Sequence, residues 1–166
     1  MGKECWIEKL PGMPRLPSCQ KGYARPDRAT STYIEEGHFV EYFEYPFDRD
    51  RTVVLFYGPG EFIIPTHPGY SIIRPLDRCC VVDFSYGDIF RTLRNFPESR
   101  LPYRKMKEAY QQKIAQRLTL AGLACPWERL EYLKESQPWV LRVAPDRLVA
   151  GYLRVSVDML KEMKRG

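Results

Sequence analysis

Every short β-prone run in this chain lies before residue 85, and every stretch with helical spacing lies at or after it. The β-prone runs are 30–34, 39–45, 52–57, 61–64, 70–73 and 79–84, all rich in β-branched and aromatic side chains that suit a pleated, half-buried surface. Turn-forming residues separate them: Glu36-Gly37, Asp48-Arg49-Asp50, Gly58-Pro59-Gly60 and His67-Pro68-Gly69. Strands this short and this closely spaced predict a sandwich or jelly roll. Between residues 10 and 26, Pro and Gly recur too densely for a helix.

Past that point the periodicity changes. Ser85-Tyr86-Gly87-Asp88 can open a short helix through Leu93, after which Pro97 and Pro102 interrupt. From Tyr103, the residues Met106, Tyr110, Ile114 and Leu118 step along one helical side towards Ala121, with Gly122 closing the helix. That stripe is long and narrow, so it predicts a homodimer seam; the competing expectation is packing onto the chain's own β-domain. Pro126-Trp127-Glu128 opens a further helix through Ser136.

The last 22 residues carry the densest signal. Pro145 and Asp146 are good opening residues, and Leu148, Val149, Tyr152 and Leu153 give one apolar face to a short helix. Arg154 and Val155 make a brief turn. Ser156 can then accept from the free N–H groups that follow it, and Met159, Leu160 and Met163 form the buried stripe of a second helix ending in Lys161, Lys164 and Arg165. Two short helices joined this way predict a helix-turn-helix.

Composition sets limits. The 26 Lys plus Arg against 21 Asp plus Glu, with a pI of about 9.0, permit a polyanionic partner without demanding one. No run approaches the roughly eighteen apolar residues of a membrane span, and the opening MGKECWIEKLPG lacks the apolar centre of a signal peptide, so a cytoplasmic protein is expected. The five cysteines, Cys5, Cys19, Cys79, Cys80 and Cys125, contain no C-x-x-C pair and predict neither a disulfide scaffold nor a zinc site. A jelly-roll metal enzyme needs clustered histidines, whereas this chain has only His38 and His67, on separate segments. No catalytic residue, metal or cofactor is expected.

β-roll, long helix, helix-turn-helix: in that order the chain resembles the Crp/Fnr family of transcription regulators, in particular the short type common in Bacteroidetes. Near the C-terminus, Pro145-Asp146-Arg147-Leu148-Val149-Ala150-Gly151-Tyr152-Leu153-Arg154-Val155-Ser156 is similar to that type's P-x-x-x-I-A-x-Y-L-G-V-T. Upstream, Tyr33-Ile34-Glu35-Glu36-Gly37 resembles Y-I-x-x-G, and Gly58-Pro59-Gly60-Glu61-Phe62-Ile63 is close to G-x-G-[DE]-F-I. The resemblance implies an α+β chain with a cyclic-nucleotide-binding-like β-roll sensor over residues 1–98, a dimerisation helix over 99–122 and a helix-turn-helix over 123–166. It also implies double-stranded DNA and a second copy of the chain as partners.

Two departures from the family pattern matter. Cyclic-nucleotide-binding members follow the hairpin with G-E-L and later an Arg-Ser or Arg-Thr that neutralises the phosphate. Here those stretches read Ile64-Pro65-Thr66 and about Gly69-Tyr70, so cyclic AMP is not the expected ligand. Tyr57, His67, Tyr70, Arg74 and Cys80 are the candidates to border a pocket for some other small effector. In the reading helix, the usual Arg position is occupied by Glu162, and Arg154 holds the turn position usually given to Gly. The candidate DNA contacts are therefore Ser156, Val157, Asp158, Lys161, Glu162, Lys164 and Arg165. The expected function is a homodimeric DNA-binding regulator; the alternative is a degenerate relative that senses or binds partners without specific DNA recognition.

Overall fold

In the computed structural model, the described residues are 17–18, 30–44, 51–64, 66 and 70–165. Among these residues seven strands precede six α-helices: β1 (Pro17–Ser18), β2 (Thr30–Glu36), β3 (Phe39–Glu44), β4 (Arg51–Tyr57), β5 (Phe62–Ile63), β6 (Ser71–Pro75) and β7 (Cys80–Ser85), then α1 (Tyr86–Asn95), α2 (Arg100–Gly122), α3 (Pro126–Ser136), α4 (Val140–Val143), α5 (Asp146–Leu153) and α6 (Val157–Met163), with a 3-10 turn over Pro97–Ser99 between α1 and α2. The strands form two antiparallel sheets, ordered β1-β7-β2-β5 and β4-β3-β6. The six expected strands are all present, as is the switch from strand to helix at Ser85, whose hydroxyl caps α1 by accepting from the Asp88 N–H.

The β4-β3-β6 sheet is covered on both faces. One face places Phe39, Leu55, Tyr57 and Ile73 against Ile34, Ile63 and Val81 of the other sheet. The opposite face places Val40, Tyr42, Val53 and Phe56 against residues from α2 to α6, including Leu120, Leu130, Val149, Tyr152, Leu160 and Met163. A strand buried on both sides reads as a continuous apolar run, which is why Val53-Val54-Leu55-Phe56-Tyr57 shows no polar alternation. A bulge between Glu41 and Tyr42 in the β3–β4 pairing sets Val53 on the outer face while Leu55 stays on the inner one.

Three details differ from expectation. Pro102 does not interrupt: α2 starts at Arg100, so Pro102 lies in the first turn, where its missing N–H has no helical partner to lose. The short helix α4 had no periodic signature, being one turn long. Gly122 ends α2 as its last residue but is not among the glycines with positive φ, so the helix stops without a left-handed cap. The segments containing Cys5, Cys19, Asp48-Arg49-Asp50 and His67-Pro68-Gly69 lie outside the described residues. Among the described residues no helix is long and apolar enough to cross a membrane.

Candidate functional site

The C-terminal pair α5 and α6 is built on a tight turn. Arg154 adopts φ 56 and ψ 49, and among the described residues it is the one non-glycine with positive φ. That conformation lets the Val155 N–H reach back to the Ala150 carbonyl at 3.0 Å, closing α5. The Ser156 hydroxyl then accepts from the Met159 N–H at 3.1 Å, starting α6. Leu148, Val149, Ala150, Tyr152, Leu153, Leu160 and Met163 are all buried beneath the pair.

The seven candidate contact residues divide by environment. Asp158, Lys161, Glu162 and Arg165 are exposed, and no ion pair among the described residues involves them. Ser156 is exposed but its oxygen is committed to the cap. Val157 is half-buried and packs on the core beneath. Lys164 is tied to Asp146 at 2.5 Å, linking the end of α6 to the start of α5.

This pair is docked on the outer sheet face. The Tyr152 ring meets Phe56 edge-on with centroids 5.0 Å apart, and Trp139 contacts both Phe56 (6.3 Å) and His38 (4.5 Å). Arg117 of α2 donates to the Tyr152 carbonyl at 3.1 Å and the Val53 carbonyl at 3.5 Å, with its guanidinium 4.2 Å from the centre of the Tyr152 ring. One side chain thus joins the long helix, the sheet and α5.

The second polar concentration is inside the β-domain, and the sequence reading missed it. Glu41, at the middle of β3, is wholly buried. It accepts from the Tyr57, Thr66 and Ser71 hydroxyls and from the Thr66 N–H. Nearby, the buried Lys113 of α2 donates to the Phe56 carbonyl at 2.6 Å, pairs with Glu61, and lies 4.7 Å from the centre of the Tyr57 ring. Glu61 also accepts from the Gly58 N–H at 2.8 Å, which holds the β4–β5 turn. Burial pushes the Tyr57 phenol well above its ordinary range, reinforced by Glu41, and lowers the Lys113 ammonium, against the pull of Glu61 and Glu41. The sequence signal was available: Glu41 interrupts a strand whose neighbours are apolar on both sides.

The candidate effector residues do not converge. Tyr57 belongs to the interior network; Tyr70 is 52% exposed, its ring 6.0 Å from Phe43. Arg74 is half-buried opposite Val40, Cys80 lies on the other sheet with its thiol directed at Glu35, and His67 falls outside the described residues. A cavity of about 160 Å³ lies elsewhere, between the β4–β5 turn and α2, bounded by Glu61, Phe62, Lys105, Met106, Tyr110 and Lys113. The expected dimer stripe is also divided. Met106 and Tyr110 line that cavity, Ile114 packs on the inner β core, and Leu118 is 67% exposed.

No family profile matches the chain, and no curated protein matches it. Solved structures do. The c-di-GMP responsive global regulator CLP of Xanthomonas campestris superposes with a TM-score of 0.68 at 16% identity, over 96% of this chain and 88% of that one. The fold is that of these proteins. CooA from Carboxydothermus hydrogenoformans gives 0.68 at 10% identity, over 92% of this chain and 74% of that one. A cyclic nucleotide-binding domain containing protein from Listeria monocytogenes EGD-e gives 0.67 at 13%, over 90% and 79%. The expected arrangement of cyclic-nucleotide-binding-like sheets followed by helices is therefore the one found.

Proposed function

We propose that this chain is a homodimeric DNA-binding transcription regulator of the Crp/Fnr type that does not respond to cyclic AMP. Residues 1–98 form its sensor, 99–122 its dimerisation helix and 123–166 its helix-turn-helix. The observation that carries the reading is the α5–α6 pair. It has a capped second helix, an apolar underside and an outer face on which Lys161 and Arg165, one turn apart, stand free beside Asp158 and Glu162. The fold likeness to CLP, a regulator described as linking signalling to gene expression, supports it.

In this reading α6 enters the major groove, Lys161 and Arg165 contact phosphates, and Asp158 and Glu162 face base edges, where a carboxylate accepts from cytosine N4. Two copies related by a twofold axis along α2 would present their α6 helices about 34 Å apart, one turn of DNA. Leu118 and Leu101 are the large apolar side chains that α2 leaves exposed for that contact. Lys113 and Arg117, one turn apart on α2, tie the helix to the sensor and to α5 respectively, so a shift of the helix is felt at the reader. Such a protein works where the DNA is, in the cytoplasm, with any small effector acting through the β-domain.

The test is selection of bound sequences from a random duplex library, followed by gel shifts over a salt series. Specific binding at least about a thousandfold above background is expected. Lys161→Ala and Arg165→Ala should each lower the salt slope by about one. Binding that never rises above the sequence-independent level sinks the proposal.

One observation favours a second reading, a sensing or interaction protein without specific DNA recognition: the acidic pair Asp158 and Glu162 lies one helical turn apart on the outer face and would repel phosphates. Glu162→Arg separates the two: under the second reading it creates DNA affinity that wild type lacks, whereas a wild type that already binds more tightly than the variant excludes that reading.

A further inference from the structure

Glu41 is the only charged residue on the inner face of β3 among the described positions, and it is 0% exposed. A carboxylate so placed is costly to bury unless donors are fixed around it. They are. Its Oε1 accepts from the Thr66 N–H at 2.8 Å, the Thr66 hydroxyl at 2.6 Å and the Ser71 hydroxyl at 2.5 Å; its Oε2 accepts from the Tyr57 hydroxyl at 2.8 Å. These donors come from β4, from β6 and from the stretch between β5 and β6, so three separate segments close on one anion. The sheet needs no such shell for packing; a leucine opposite Leu55 and Ile73 would fill the same register.

We propose that these four donors form a small-carboxylate binding site and that Glu41 is its built-in occupant, so the β-domain is set by an anion its own strand supplies. The occupant's effect reaches α2 by direct contact. Glu41 fixes the Tyr57 hydroxyl, the Tyr57 ring lies under the Lys113 ammonium, and Lys113 holds α2 to the Phe56 carbonyl and to Glu61. This inference stands whether or not the C-terminal helices bind DNA.

Beyond Cβ, the Glu41 side chain consists of one carbon and a carboxylate, the heavy atoms of acetate. Glu41→Ala therefore leaves a seat of that size and charge preference, lined by the same donors. The full-length variant is melted in sodium acetate, formate or propionate against sodium chloride at equal ionic strength. In chloride it should melt about 10 °C below wild type. Acetate should recover about half of that loss or more, rising with concentration towards saturation, while propionate, larger by one carbon, recovers less. Wild type should gain only the small general stabilisation that acetate gives over chloride, well below the gain of Glu41→Ala. Glu41→Gln keeps the volume and the three donors on its Oε1, and its NH₂ can donate to the Tyr57 hydroxyl while that hydroxyl donates to the Ile64 carbonyl, so it should melt closer to wild type than Glu41→Ala does.

A Glu41→Ala chain indifferent to acetate overturns the proposal, as does a wild type stabilised equally. Should Glu41→Ala fail to fold in chloride, refolding in acetate becomes the readout. Folding that requires acetate supports the site, and no folding in either salt overturns it.

Discussion

Arg117 and Tyr152 meet twice: the guanidinium lies 4.2 Å from the centre of the Tyr152 ring and donates to the Tyr152 backbone carbonyl at 3.1 Å. The same group reaches the Val53 carbonyl at 3.5 Å, so α2, α5 and β4 share one planar donor. Arg117→Ala should cost about 2 kcal/mol, combining a desolvated cation–π contact with a charged hydrogen bond. Arg117→Lys should recover less than half, because an ammonium cannot span both carbonyls while stacking on the ring. Urea unfolding monitored by Trp fluorescence checks the cost. Faster amide exchange confined to α5 would show that docking, rather than the whole fold, depends on Arg117.

Alkaline pH should loosen the same contact. Burial pushes the Tyr152 phenol up to about 12, although Arg117 draws it back somewhat. Between the ordinary tyrosine value near 10 and about 12, the unfolded chain loses this proton and the folded chain keeps it. The contribution is complete below pH 10 and disappears as pH rises through 12, a loss of about 2–3 kcal/mol. Tyr57 is shifted in the same direction, whereas Lys113, held low by burial, opposes both by favouring the folded state as pH rises towards its ordinary range. Tyr152→Phe should therefore flatten, without abolishing, the fall in urea midpoint measured from pH 9 to 12.

Lys113 and Glu61 should be energetically coupled. Lys113→Ala removes the tie from α2 to the Phe56 carbonyl and to Glu61 and is expected to cost about 2–4 kcal/mol. Glu61→Gln alone should cost about 1 kcal/mol, since Glu61 is only partly buried. A double-mutant cycle giving a coupling near zero would show that the two groups act independently.

Two glycines with nearly equal φ should respond very differently to alanine. At Gly37, φ is +89 and a Cβ would stand 2.6 Å from the Arg78 carbonyl oxygen and 2.7 Å from the Cys79 Cα, both backbone atoms. At Gly60, φ is +85 with nothing within 4 Å. Gly60→Ala should cost about 1 kcal/mol from backbone strain alone, and Gly37→Ala about 3 kcal/mol or more. Thermal melts of the two variants side by side provide the comparison.

The turn between α5 and α6 can be tuned in both directions. Ser156→Ala removes the acceptor for the Met159 N–H and should cost about 1 kcal/mol. Arg154→Gly relieves a left-handed non-glycine residue and should stabilise by up to about 1 kcal/mol. A destabilised Arg154→Gly would mean that the arginine side chain contributes packing not evident from its exposed position.

Local chemistry was enough to determine most elements of this protein, though not the two-residue β1 or the one-turn α4. Glycines at 37 and 60, Ser85 and Ser156 as caps, Pro126 at a helix start and the alternation of apolar runs each act within a few residues, so strands, helices and the Arg154 turn were legible from the chain alone. Packing between distant segments was not. The stripe Met106, Tyr110, Ile114 and Leu118 looks uniform as a helical pattern, yet Ile114 meets the β core while Leu118 faces solvent, because only the sheet's position decides which part of a helix it covers. Likewise Tyr57, Tyr70 and Cys80 are close enough in sequence to suggest one pocket, but strand alternation and the pairing of two separate sheets send them to three environments. Glu41 and Lys113 are separated by 72 positions and gain their meaning only when folding removes both from water, where a charge must be met by a fixed partner and can no longer rely on solvent.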